Sequence, residues 1–312
     1  MSDSPLDQFV KIVNPEGCHL INLPDRIWVF GGPIAIDTSH ACRSLRDSFW
    51  RQQLAAMPPR QWFDSLDRPE NHPGWWAFSG YDNLLEFERD ACYLAKAIIL
   101  FSESPGSYAE LGALALDDSI LPRLFVVVQS RYLENDHRES FLNLGPIKRV
   151  DHHDHTCVVG TTINHQLPEE DFDAIVDSID AAMHSLSTGR VILHPANPTH
   201  RLLLIADLVD LFLVSKADDL LLALQHFGVV ISEKDLVKAL KLLAFFGLVR
   251  LEMRGMEPFW VRSKTSNAPW VDYTAIIGPK NQERFDRARF KISCQNWING
   301  DTRRRAMFER SK

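Results

Sequence analysis

The chain has 312 residues, 45% of them hydrophobic, which is enough to build the cores of two domains of ordinary size. Its net charge of −7 argues against a protein that coats nucleic acid broadly, while leaving room for a local basic face. The five cysteines (Cys18, Cys42, Cys92, Cys157, Cys294) are scattered, odd in number and without a CxxC pair, so they read as reduced thiols of a cytoplasmic protein.

The opening MSDSPLDQFVK is polar, with no apolar targeting core, and residues 1–25 read as an irregular lead-in. Arg26–Phe30, RIWVF, is the first predicted strand and ends in Gly31-Gly32-Pro33. Paired glycines at a strand's C-terminal end let a ligand approach the backbone closely, with a simple turn as the alternative. Thr38 or Ser39 can cap a helix that runs to about Ala56, where Met57-Pro58-Pro59 stops it. Arg46 on that helix is placed to meet a phosphate at the sheet edge or to be an ordinary surface cation. Residues 60–80 set Trp62, Trp75, Trp76 and Phe78 among Pro and Gly, the composition of an aromatic lid or of plain packing. Tyr81–Lys96 has a helical apolar stripe and carries Glu88, a solvated-face residue on pattern alone.

Ala97–Leu116 organises the rest. Ala97–Phe101 is a buried parallel strand, Ser102–Gly106 a tight loop, and Ser107–Leu116 a helix. A helix opening at such a sheet edge offers unpaired N–H groups and positive dipole to an anion. Ser104, Gly106 and Ser107 can supply N–H and hydroxyl groups there. Glu110 lies one turn in. Two readings of it stand: Ser107-x-x-Glu110 fits a capping box, although Ser104 before Pro105 also fits an N-cap with Pro at the first helical position, and the carboxylate also faces the mouth of the site. Gly112 costs the helix roughly 1 kcal/mol relative to Ala, which points to close packing or close ligand approach.

Leu124–Val128 is a further strand. Val150–His165 gathers Asp151, His152, His153, Asp154, His155, Cys157 and His165, but neighbouring strand residues diverge, so a polar hairpin or loop is predicted and no metal site. Leu167–Leu186 is a helix with an acidic first turn. The expected division is a domain over 1–186, a linker over 187–200 and a second domain over 201–312. In the second, Arg201–Ser215, Asp218–Phe227 and Glu233–Phe246 read as helices. Leu248–Glu252 and Phe259–Arg262 read as a two-stranded wing. Asp207 and Asp210 interrupt the apolar run of the first helix, so no membrane span is predicted. Residues 280–312 form a basic tail, either solvated or a phosphate-contacting arm.

Several of these segments, in order over residues 26–185, resemble the nucleoside 2-deoxyribosyltransferase-like proteins, and among them the retron effectors. The segments are Val29-Phe30-Gly31-Gly32, Ser44-Leu45-Arg46, Pro69-Glu70, the loop ESPGSYAELGA, Phe141–Pro146 and Asp177–Asp180. The resemblance implies a parallel-sheet, Rossmann-type α/β domain followed by a mainly helical, winged-helix-like domain. It implies Glu110 as the catalytic residue, with Gly31, Gly32, Arg46, Glu88, Ser104, Gly106 and Ser107 around the substrate. It further implies a toxic N-glycosidase restrained by a retron reverse transcriptase and its msDNA. Such a bond breaks through an oxocarbenium-like sugar that a carboxylate can attack or stabilise. NAD suits a single carboxylate because nicotinamide leaves from a cationic state, so NAD is an expected substrate and no cofactor is called for. The chain departs from the transferases in having only Glu103 where they carry a base-assisting aspartate, which favours hydrolysis over transfer. Two other readings remain open: a housekeeping nucleoside or nucleotide N-glycosidase or deoxyribosyltransferase, and a non-enzymatic winged-helix regulator that senses a nucleotide. A homo- or hetero-oligomer is compatible with all three.

Overall fold

The first residues are not an irregular lead-in. Pro5–Ile12 forms helix α1, capped by a reciprocal Ser4–Asp7 pair, and Val13–Leu20 forms strand β1. The structure, a computed structural model, describes residues 4–35, 39–56, 62–74, 80–134, 138–162, 164–186, 189–264, 268–277 and 281–311. Trp75, Trp76 and Phe78 of the predicted aromatic loop, Thr38 and Met57-Pro58-Pro59 lie outside them. The chain divides into two compact units, one of Pro24–Trp76 with Asn83–Thr188, the other of Met1–Leu23, Ala77–Asp82 and Gly189–Lys312.

The unit built on Pro24–Thr188 holds a parallel sheet. Its elements in chain order are β2 (Ile27–Phe30), α2 (Leu45–Ala55), β3 (Leu66–Asp67), α3 (Leu84–Cys92), β4 (Ala97–Ser102), α4 (Pro105–Leu114), β5 (Leu124–Gln129), α5 (Lys148–Asp151), β6 (Thr156–Val159) and α6 (Glu169–Leu186). The strand order is β3-β2-β4-β5-β6, every pairing parallel. β4 and β5 are buried along their whole length, as continuous apolar runs must be when helices cover both faces. One face sets Ile99, Phe101 and Val127 against Phe49 of α2 and Phe172 and Val176 of α6. On the other face the Trp28 indole N–H donates to the Ala91 carbonyl of α3, at 3.3 Å. Each such large apolar side chain contributes about 1.5–3 kcal/mol by burial.

Two expectations change in this unit. The polar segment after Val150 hides an edge strand, β6, of which only Val159 is buried, so its alternation carried little signal. α2 begins at Leu45, not near Ser39. The Ser44 hydroxyl accepts the Asp47 N–H at 2.9 Å and the Glu103 carboxylate takes those of Leu45 and Arg46, so the helix starts where its unpaired donors are met.

The other unit continues with β7 (Val191–Ile192), α7 (Pro198–Phe212), β8 (Val214–Ser215), α8 (Ala217–His226), α9 (Glu233–Phe245), β9 (Val249–Arg254), β10 (Glu257–Arg262), β11 (Val271–Ile277), β12 (Asn281–Arg284), α10 (Arg287–Gly300) and α11 (Thr302–Ser311). β1 pairs antiparallel with β11 and with β7, so the expected linker contributes a strand. Phe9 of α1 is fully buried among the rings of Phe212, Phe227, Tyr273, Phe285 and Phe290, with centroids at 5.4–6.2 Å. That aromatic knot is why the N-terminus folds with the C-terminal part. The sequence Asn14-Pro15-Glu16-Gly17 concealed β1, because a bulge between Asn14 and His19 absorbs it.

The three predicted helices form as α7, α8 and α9. The two-stranded hairpin β9–β10 turns at Gly255, whose φ of +64° suits glycine. β8 adds a third strand on β10. Asp207 and Asp210 are buried anchors. Asp207 accepts the Trp270 N–H at 2.7 Å and the Arg287 guanidinium at 2.8 Å, and Asp210 meets Arg287 at 2.6 Å and Lys291 at 2.7 Å. The basic tail holds strand β12 and helices α10 and α11, and its Arg303-Arg304-Arg305 run is paired. Arg304 is buried against Asp219 at 2.8 Å, Arg303 meets Glu257 at 3.4 Å, and Arg305 meets Glu309 at 3.1 Å. Among the described residues no helix is long and apolar enough to cross a membrane.

Candidate active site

In an open parallel sheet, ligands bind beyond the strands' C-terminal ends where the strand order reverses. Here that point lies between β2 and β4. β2 runs out into Gly31-Gly32, and β4 into Glu103 and the start of α4. The glycines are fixed by packing: a Cβ on Gly31, at φ +146°, would come within 2.8 Å of the Phe101 Cβ, and one on Gly32 within 2.6 Å of the Ser44 Cβ.

Glu103 locks this loop. Its carboxylate accepts the N–H groups of Gly32 at 3.0 Å, Leu45 at 2.6 Å and Arg46 at 3.2 Å. A carboxylate so engaged at the N-terminus of α2 is a structural anchor, also favoured by the helix dipole. The role of a base-assisting acid, considered for Glu103 from the loop sequence, is thus filled by backbone.

The capping box of α4 joins Ser104 to Ser107, not Ser107 to Glu110. The Ser104 hydroxyl accepts the Ser107 N–H at 3.2 Å, and the Ser107 hydroxyl accepts those of Glu103 and Ser104 at 3.0 and 2.9 Å. Both hydroxyls are therefore taken up in the cap. Pro105 has no N–H, so Gly106 is the residue of that first turn whose N–H is not used by the cap. A Cβ on Gly106 would make only ordinary contact, 3.9 Å from Ser104 Oγ.

Excluded from the cap, Glu110 is left with a buried Oε2 that has no hydrogen-bond partner among the described residues. Arg46 and Glu70 act on it as charges, and Glu88 belongs to the same cluster. Arg46 is buried, donates to the Val29 carbonyl at 3.1 Å and pairs with Glu70 through its other terminal nitrogen. Burial raises Glu110 above the ordinary carboxylate range, Arg46 opposes, and Glu70 adds to the rise. Glu88 of α3 is pushed up to about 8, by burial first and then by the charges of Glu110 and Glu70, against Arg46. Burial and the neighbouring carboxylates thus both favour the protonated form of Glu88. The fold brings Arg46, Glu88 and Glu110 into one electrostatic cluster beside the Gly31-Gly32 turn, and adds Glu70. Nothing in the local pattern marked Glu70, a loop residue after Pro69; only the family resemblance pointed at it. Among the described residues no group of three or more His, Cys, Asp or Glu side chains is arranged to hold a metal ion.

Comparison with known proteins adds the following. A family model described as STM3845 retron effector protein matches residues 42–251, more than half of the chain. Two curated Escherichia coli proteins are similar over shorter stretches. One, named "Retron Ec73 putative ribosyltransferase/DNA-binding protein", is 39% identical over 69 residues, 22% of this chain and 21% of that protein. The other, named "Retron Ec86 putative ribosyltransferase/DNA-binding protein", is 29% identical over 130 residues, 41% of this chain and 38% of that protein. The matched stretches thus span well under half the length of either relative.

Proposed function

The chain belongs to the STM3845 retron effector family, and from that premise we propose that it acts in retron anti-phage defence by cleaving the N-glycosidic bond of a nucleotide. The observation that carries this reading is the buried Glu110 oxygen at the sheet's switch point, without a hydrogen-bond partner among the described residues and in one electrostatic cluster with Glu88, Glu70 and Arg46. Glycosidic cleavage asks for this division of labour. An ionised carboxylate meets the developing cation at C1′, and a proton donor meets the departing base. Glu110 takes the first role, and its charge helps keep Glu88 protonated for the second. Arg46 limits the repulsion among the carboxylates. The Gly31-Gly32 turn and the Gly106 N–H give backbone a close approach to phosphate or sugar oxygens.

Glu88 also bears on the substrate. A neutral nucleobase needs a proton to leave, whereas nicotinamide in NAD does not. The pair therefore serves nucleosides and nucleotides generally, and NAD is the substrate for which Glu110 alone suffices. The names of the relatives support ribosyl chemistry in the family. We read the three helices α7–α9 with the β9–β10 hairpin as a winged helix, and we assign that unit to docking the retron reverse transcriptase and its msDNA.

The test is incubation of the purified protein with NAD, nucleosides and nucleoside monophosphates, followed by chromatography for free base. Glu110→Gln is expected to abolish every release. Glu88→Gln is expected to slow release of neutral bases by about 10²–10⁴-fold, the usual worth of general acid catalysis, while sparing nicotinamide. Base release that persists in Glu110→Gln would overturn the assignment. Copurification of the chain with reverse transcriptase and msDNA, lost when the β9–β10 hairpin is deleted, tests the docking role.

A further inference from the structure

Gly112 poses a question that the carboxylate site does not answer. It sits in the interior of α4, where glycine weakens a helix. Packing would justify it if a Cβ had no room, yet a Cβ built on Gly112 meets, among the described residues beyond its own stretch of helix backbone, no atom within 4 Å. Its φ lies outside the left-handed region, so backbone conformation does not require glycine either. The space beside it is a cavity of about 340 Å³, lined by Tyr108, Gly112, Tyr132, Phe141, Leu142 and Pro146, with Ser140 at its edge. Clefts of that size suit small ligands.

The walls are aromatic. The rings of Tyr108 and Tyr132 stand edge to face with centroids 6.1 Å apart, and Phe141 is 86% exposed. Largely exposed, Phe141 offers a stacking face beside the hole. A cation sits on one of the lining rings: the Arg131 guanidinium lies 4.8 Å from the centre of the Tyr132 ring and donates to its hydroxyl at 3.1 Å. The neighbouring helical turn, Asn143–Ile147, is held by the Asn143 side chain, which donates to the Tyr132 carbonyl at 2.6 Å. The two walls of the slot are thereby tied together.

We propose that this cavity is a second nucleotide site, taking the flat base between Tyr132 and Phe141 over the bare backbone of Gly112, with Arg131 facing the phosphate. A flat ring fits an apolar aromatic slot, every nucleobase has a face that stacks on such rings, and an attached phosphate complements the cation on Tyr132. The site is separate from the carboxylate cluster. Tyr108 and Gly112 lie four residues apart on one side of α4, while Glu110, two residues from each, points about 200° away around the helix. The inference does not rest on the glycosidase reading.

Photolabelling separates the two sites. The full-length protein carrying Glu110→Gln is irradiated with 8-azido-AMP, so that no turnover consumes the probe, and labelled tryptic peptides are mapped. Label is expected in the peptides that carry Tyr132 and Phe141, protected by AMP and by adenosine. Tyr132→Ala is expected to weaken that labelling about tenfold, as loss of one base–aromatic stack does. Gly112→Leu, which fills the slot, is expected to remove it while the helix melts no lower than before. Should the leucine variant fail to fold, the tyrosine variant carries the test. Label confined to other peptides, label unaffected by Tyr132→Ala, or label displaced by inorganic phosphate alone would overturn the proposal.

Discussion

Replacing Glu103 tests the reasoning that separates the two carboxylates of the β4–α4 loop. In the structure its oxygens accept three backbone N–H groups, from Gly32, Leu45 and Arg46 at 3.0, 2.6 and 3.2 Å. Glu103→Ala strands these donors in a partly buried place. Each unsatisfied group costs about 1–3 kcal/mol, and the anion at the start of α2 adds a dipole contribution of up to about 1 kcal/mol. With some water entering the vacated space, the expected loss is about 3–5 kcal/mol. Glu103→Gln keeps an oxygen that can serve Gly32 and Arg46 but sets an amide NH₂ against the Leu45 N–H, so its expected loss is smaller, about 1–2 kcal/mol. Urea unfolding followed by circular dichroism measures both. A Glu103→Ala protein within about 0.5 kcal/mol of the parent, the range of an indifferent surface change, would refute the anchoring role. Base release altered at unchanged stability would return Glu103 to the substrate.

Three further outcomes follow from the same kind of accounting. Glu88 binds its proton in the folded state up to about pH 8, against about 4.5 unfolded, so its stabilising contribution is full below that range and lost as pH rises through 8. Glu88→Gln cannot ionise, and is expected to melt higher than the parent above pH 8 with no such gain at pH 4. Asp210 behaves oppositely: burial alone would raise it, but Lys291 and Arg287 hold it below the ordinary range. Its contribution is present above about pH 4 and lost as pH falls further, so Asp210→Asn should cost about 3 kcal/mol at pH 7 and converge with the parent in acid, by chemical denaturation at each pH. Gly112→Ala is expected to stabilise the fold by roughly 0.5–1 kcal/mol, because the new methyl meets open space and the helix gains propensity; a lower melting temperature would show hidden packing there.

The parallel sheet was legible because β4 and β5 are continuous apolar runs, a pattern that only burial on both faces demands. β6 was not, since three of its four residues are not fully buried and its histidine-rich approach looked like a loop. β1 was hidden by a proline and a glycine that a bulge accommodates, and its partner strand β11 lies some 250 positions away, beyond any local signal. Arg304 looked like part of a solvated tail because a run of three arginines usually is one; its place beside Asp219 depends on how α11 returns over β8. The glycine turn and Glu110 could be picked out, while their roles could not, because spacing alone allowed Ser107 and Glu110 to cap each other.

What decides between Glu103 and Glu110 is which backbone donors remain by the time each carboxylate is placed. The turn after β2 and the start of α2 bring three N–H groups to the end of β4, where the Glu103 carboxylate accepts all three. Ser104 and Ser107 then close the cap of α4 between themselves, so no N–H is left for Glu110 one turn further on. Glu110 is half-buried in one electrostatic cluster with Glu88, Glu70 and Arg46, its buried Oε2 without a hydrogen-bond partner among the described residues. A fold that wanted only stability would not leave it so, since an unpaired buried oxygen costs free energy that a neutral residue would avoid. The surplus is intelligible if the missing partner is a sugar cation that exists only while a glycosidic bond is breaking.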